Sequence, residues 1–207
     1  MLNDPRITTP DQLRALFEAP SALVKRKVIP SLDKHCRAII AASPFLCLST
    51  SSAGGRIDVS PRGDAPGFVQ VVDDKTLFIP DRPGNNRLDS MTNILENPHI
   101  GLLFIVPGMD ETLRVFGTAE LTRDPALLGR AAVGGKTPTL GIKITVAGAH
   151  LHCGKAFKRA RLWDPEARID RKSLPTLGRM VLDQIGATDI PVEAADARIE
   201  ESYRKLY

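Results

Sequence analysis

"ETLRVFGTAEL", residues 111–121, alternates side chains of opposite character along its whole length. Leu113, Val115, Gly117, Ala119 and Leu121 fall on one side, and Thr112, Arg114, Phe116, Thr118 and Glu120 on the other. Side chains repeat every two residues in a strand, so the stretch predicts a strand with one face on a core and a polar outer face. Just before it, HIGLLFIVP (99–107) is apolar on both faces, which predicts a strand covered on both sides. LGIKITVAGAHLHC (140–153) reads as a third long strand.

Upstream, PFLCLSTS (44–51), RIDVSPR (56–62), GFVQVVDD (67–74) and TLFIPD (76–81) read as strands, with Gly54-Gly55 and Asp73-Asp74 as turn signals. They predict an antiparallel meander. Leu88, Met91, Ile94 and Leu95 recur at helical spacing, predicting a helix over 85–96 that Asn97-Pro98 stops. A helix near 125–133 and a basic helix in GKAFKRARLW (154–163) follow the same logic. Residues 1–43 read as a helical lead-in, with Pro10 and Asp11 opening one helix and Pro30-Ser31 preceding another that carries Leu32, Cys36, Ile39 and Ile40. From Asp164 onward the pattern is polar and helical.

Short strands interrupted by few helices predict a mainly β fold with helices (α+β), a small antiparallel barrel rather than a parallel βαβ sheet. The expected organisation is a lead-in over 1–43, a barrel domain over 44–165 and a helical extension over 166–207.

The chain has 207 residues, 43% hydrophobic and 25% charged, which excludes wholesale disorder and membrane embedding as expectations. Its 28 basic and 24 acidic residues leave a net charge of +4, compatible with an anionic ligand but not demanding nucleic acid. Cys36, Cys47 and Cys153 are odd in number and lack a CxxC pattern, which argues against a disulfide framework. MLNDPRITTPDQL lacks the apolar run of a signal peptide, and no window approaches a membrane span. A reducing cytoplasm is the expected location.

Candidate chemistry concentrates in two places. In RIDVSPRGD, Arg56, Asp58, Ser60 and Arg62 share one strand face, with Ile57, Val59 and Pro61 on the other; a solvated sheet face is the bland explanation. In IPDRPGNNRLDS (79–90), a helix starting near Asn85 would present unpaired amides and a positive dipole end, with Arg87 in its first turn. Cations there are unfavourable unless an anion joins them. Asn85 or Asn86 could equally be a plain N-cap, and Arg82 fits either a ligand or the surface. GGKT (134–137) resembles a P-loop tail, but Arg130 stands where the first Gly belongs and the order of strand and helix is wrong, so a loop is expected. His150 and His152 point the same way on a strand without a nearby acidic or CxxC partner, so no metal is expected. No nucleophile elbow, HExxH or carboxylate pair appears, so any chemistry would come from a cofactor.

Together, DVSPRGD, IPDRPGNNRLDSMTNILENPHIGLLF, DETLRVFGTAEL and HCGKAFKRARLWDP resemble the pyridoxamine 5'-phosphate oxidase-like, FMN-binding split-barrel family, in particular its uncharacterised bacterial branch. The resemblance spans about residues 30–170. It implies a six-stranded split barrel and a homodimer with FMN at the interface. It also implies flavin contacts from Asp58, Ser60, Pro61 and Arg62, from Ile79 and Pro80, from Asn86 and Arg87 toward the phosphate, and from Thr112 and Arg114. Lys155 and Trp163 would reach across the dimer. The implied activity is an FMN-dependent oxidoreductase working through flavin N5 on a small molecule. The oxidase of vitamin B6 metabolism ends in a Trp and an Arg-Leu-Ala-Pro-like segment and carries an Arg-Lys pair at the turn, whereas this chain has EAADARIEESYRKLY and NNR. That oxidase activity is therefore not expected. The rival expectation is a flavin or haem carrier or sensor on the same barrel, with His150 or His152 as a haem ligand.

Overall fold

The computed structural model describes residues 5–207; the first four residues of the expected lead-in lie outside them. Seven strands form one sheet: β1 (Phe45–Ser51), β2 (Ile57–Gly63), β3 (Gln70–Val71), β4 (Thr76–Pro80), β5 (His99–Ile105), β6 (Thr112–Thr122) and β7 (Gly141–His152). Their order is β2-β1-β5-β6-β7-β4-β3, and every pairing is antiparallel. The fold is of the split-barrel type, with β2 and β3 at the two ends of the sheet order. The sheet has one strand more than the six that the resemblance implies, and the run read as a strand over 67–74 forms only the two-residue β3.

The order corrects the predicted meander. The β1–β2 and β3–β4 hairpins sit at opposite ends of the sheet, because β4 pairs with β7 rather than with β2. Local turn signals fix each hairpin but carry no information on which long strand it joins.

The inward side chains behave as the alternation predicts: Leu113 and Val115 of β6, Leu46 and Leu48 of β1, and Ile142 and Ile144 of β7 are all buried in one cluster. Gly117 sits at a register shift in the β6–β7 pairing, where a Cβ would lie 2.0 Å from the Thr145 carbonyl oxygen. Only glycine permits the two backbones to approach that closely. β5 departs from expectation. Ile100, Leu102 and Phe104 are buried, but Gly101, Leu103 and Ile105 are only partly covered, so its second face lies on the outside of the sheet.

Helix α1 (Pro10–Ala15) has a capping box from Thr9 and Gln12, and α2 (Ala22–Arg26) follows; neither buries a residue. α3 (Lys34–Ala42) starts at Asp33, whose carboxylate accepts from His35 and Cys36 amides, and it buries Cys36 and Ile40 against the core. α4 (Asp89–Glu96) buries Met91, Asn93 and Ile94. Asn93 Nδ2 donates to Thr50 Oγ1 on β1 at 3.0 Å, fastening the helix to the sheet. α5 (Pro125–Arg130) places Leu127 and Leu128 against Phe78. After β7 come α6 (Lys155–Ala160), α7 (Leu177–Ile185) and α8 (Val192–Arg204). GGKT lies in a turn in which Gly134 and Gly135 have positive φ and Val133 bridges Lys136, a loop as expected. No described helix is long and apolar enough to cross a membrane.

Candidate functional site

β2 and the segment after β4 enclose a cavity of about 550 Å³, within the range of small-molecule sites. One wall is the polar row of β2. Asp58, Ser60 and Arg62 pair with Thr50, Leu48 and Leu46 across the β1–β2 register, so they share the core face of the sheet. The direction of this strand is therefore the reverse of a solvated polar face: Ile57 is 72% exposed and Val59 61%, while the polar residues turn inward.

The opposite wall runs from Pro80 to Met91. Here the predicted helix start is corrected: α4 begins at Asp89, not near Asn85, and Arg87 lies before its first turn. Asn85 Oδ1 accepts from the Arg87 amide at 3.0 Å, and Asn86 and Leu88 have φ of 57° and 59°. Asn tolerates this left-handed region through its short polar side chain; Leu does not, so Leu88 stores local strain at the rim of the cavity. The chain is spent on a tight rim loop rather than on another helical turn.

The anion that Arg87 needs is partly internal. Arg87 Nε donates to Asp89 Oδ2 at 2.8 Å, and Arg56 lies 3.6 Å from the other oxygen of the same carboxylate. The hydrogen bond from Arg87 holds the Asp89 carboxyl below the ordinary range and raises Arg87 in turn. Arg87 is 67% exposed, and its Nη2 donates to Asp89 Oδ1 at 3.5 Å. Arg62 is more enclosed, at 19% exposure, with Asp81 3.5 Å from its Nη1. Burial pushes the Asp81 carboxyl up, against the pull of Arg62 and Arg82. Arg62 Nε is buried without a hydrogen-bond acceptor. An unmade bond of that kind costs about 1–3 kcal/mol, which marks the site as one whose polar groups the chain alone does not satisfy. Ser90 Oγ donates to Asp58 Oδ2 at 3.0 Å across the cavity floor.

Of the residues expected to contact a ligand, Asp58, Ser60, Pro61, Arg62, Pro80, Asn86 and Arg87 line this cavity together. Ile79 does not; its side chain is buried in the core. Thr112, Arg114, Lys155 and Trp163 lie elsewhere. Thr112 is buried opposite His152, and Arg114 is exposed opposite His150 on the outer face of β6 and β7. Lys155 opens α6 on the surface, and Trp163 Nε1 donates to the Met109 carbonyl at 3.0 Å. His150 lies edge-on to Phe116 and also stands apart from the cavity; burial, then Lys27, Arg114 and His152, lower its affinity for a proton. Sequence reasoning overlooked Asp81, Asp89 and Ser90. The signal for Asp89 was the Arg-x-Asp spacing in NRLD; for Asp81 it was an acid set between Pro80 and Arg82.

Fold and site define a class: a split antiparallel barrel with a polar, arginine-lined cavity opening beside one end of its sheet. The profile of the family described as Pyridoxamine 5'-phosphate oxidase matches residues 32–153, and the chain belongs to that family. No curated protein sequence matches it. Among solved structures, HupZ of Group A Streptococcus is 21% identical, with 56% of this chain and 90% of that one covered at a TM-score of 0.47. A putative pyridoxamine 5'-phosphate oxidase of Lactobacillus delbrueckii is 18% identical, covering 58% and 94% at 0.45. An FMN-binding protein of Syntrophomonas wolfei is 12% identical, covering 56% and 82% at 0.45.

Proposed function

We propose that the cavity binds FMN and that the chain is an FMN-dependent oxidoreductase of a small molecule, distinct from the vitamin B6 oxidase. The observation that carries this reading is the convergence of Arg62, with its unsatisfied buried Nε, and Arg87 on a cavity of flavin-accommodating size. Guanidinium groups suit a phosphate because they present several donors in a fixed plane. Arg62 and Arg87 would hold the phosphate, with the rim backbone at Asn86 beside it. Ser60 and Asp58 would hydrogen-bond the ribityl chain or ring. When bound, the flavin supplies hydride transfer at N5, and the residues of this chain orient it and exclude water.

A homodimer belongs to the same reading. The exposed apolar side chains of β2 and the half-covered face of β5 offer a surface on which a second chain would bring Thr112, Arg114, Lys155 and Trp163 toward the flavin. Three cysteines without a disulfide accord with a reducing cytoplasm.

Heating the purified protein and weighing the released cofactor tests the reading. The expected result is FMN, with the absorbance of oxidised flavin; a Soret band and haem would overturn it in favour of the carrier alternative. Arg62→Ala and Arg87→Ala are each expected to weaken FMN binding about tenfold or more, by loss of a charge-assisted bond. Wild-type affinity in both variants would remove the phosphate from this cavity.

A further inference from the structure

Three segments far apart in sequence converge on Arg82, which forms part of the cavity wall. Its Nε donates to Asp64 Oδ2 at 2.6 Å, just past β2, and Nη1 donates to the Ala131 carbonyl at 2.9 Å, just past α5. Its guanidinium lies 5.5 Å from the centroid of the Tyr207 ring, in the segment after α8. Tyr207 also reaches the other side of the pair, where its hydroxyl donates to Asp64 Oδ1 at 2.5 Å. Lys136 Nζ donates to the Tyr207 main-chain oxygen at 2.8 Å and ties the same residue to the GGKT turn. Asp64 has a side chain only 3% exposed, and its remaining contact is the Ala65 amide at 2.7 Å.

The arrangement matters for the cavity because Arg82 is the stem of the rim loop. Pro83 follows it with a fixed φ, so the orientation set at Arg82 carries into Gly84–Leu88, including Asn86 and Arg87. A ring over a guanidinium and a hydroxyl on its carboxylate partner act on the same ion pair from two sides.

We infer that Tyr207 is a positioning residue of the cavity: its ring and hydroxyl lock Arg82 onto Asp64, withholding that guanidinium from the ligand and fixing the stem of the rim loop. A bound anion is then met by Arg62 and Arg87 and not by Arg82. The inference rests on the cavity's being the ligand site, but the lock itself exists without any ligand.

Hydrogen exchange of the 81–88 amides in the full chain, without cofactor, reads the lock directly. In Tyr207→Ala, exchange in this loop is expected to rise about tenfold, and in Tyr207→Phe, which keeps the ring, about threefold. Amides of α3 and β6 should not change. FMN affinity, followed by quenching of flavin fluorescence, should fall in the same order. Adding Asp64→Asn to Tyr207→Phe should produce less than the sum of the two single effects, since both act on one pair. Unchanged loop exchange in Tyr207→Ala, or an equal rise across α3 and β6, would overturn the inference. A wild-type protein that takes up no FMN would overturn the proposed cofactor instead, and the exchange comparison alone then decides the role of Tyr207.

Discussion

Asp64 keeps its charge in a nearly sealed position because its neighbours outweigh its burial. Burial pushes its carboxyl up, but the Tyr207 hydroxyl, the Ala65 amide and Arg82 hold it below the ordinary carboxylate value. A carboxyl whose folded pKa is depressed contributes stability that is complete above its unfolded value near ~3.9 and is lost as pH falls through the folded one. Asp64→Asn is therefore expected to cost on the order of 3 kcal/mol at neutral pH, because it leaves Arg82 without its partner. The gap between the two proteins should close below about pH 4. Thermal melts at stepped pH measure it, and a gap that stays constant into strong acid would refute the account. Arg82 also shows what a sequence withholds at this scale. Its partners lie 18, 49 and 125 positions away, so no local pattern distinguishes a wall arginine from a ligand arginine.

Helix α4 and its approach show how legibility changes along a single element. Met91 and Ile94 are buried as their helical spacing requires, and Asn97 ends the helix where expected. Its start was displaced because two left-handed residues precede it: Asn86 suits that region, but Leu88 has no preference for it and is held there by the tertiary fit of the rim. Strand β2 has the complementary lesson. Its alternation separates two faces correctly, yet periodicity does not say which face is inside; here the polar row turns inward because it lines a cavity. The tie that seats α4 is the buried Asn93–Thr50 bond. Asn93→Leu should cost about 1–3 kcal/mol by stranding the Thr50 hydroxyl, whereas Asn93→Leu with Thr50→Val should recover much of the loss. Denaturant melts of the single and double variants check this, and equal losses in both would show that packing, not the bond, seats the helix.

Across the whole molecule, the outer face of the sheet carries an apolar row with few charges. Val59, Ser49, Gly101 and Phe116 are neighbours across β2, β1, β5 and β6. Pro61, Cys47, Leu103 and Arg114 form the next row. A face of this composition, unlike scattered surface apolar residues, favours association. Light scattering should give twice the chain mass at micromolar concentration, and Val59→Glu should return the protein to a monomer and weaken FMN binding with it. A wild-type chain that stays monomeric would rule out the shared-site arrangement. A small antiparallel barrel was legible from alternation and spacing, and its split form only from the family resemblance; the order of the strands was not legible, because hairpins read locally while their docking is decided by which apolar faces meet.

Trp163, held to the Met109 carbonyl and set 5.8 Å from the Phe157 ring, is the sole tryptophan of the chain. Tryptophan emission from this protein, excited selectively at the red edge of its absorption, thus arises at one place, where α6 meets the turn between β5 and β6, an anchorage reinforced by Lys158 on Asp110 at 3.1 Å. A yellow chromophore nearby would absorb that light and dim it, so the emission of the native protein doubles as a ruler from α6 to whatever the barrel holds.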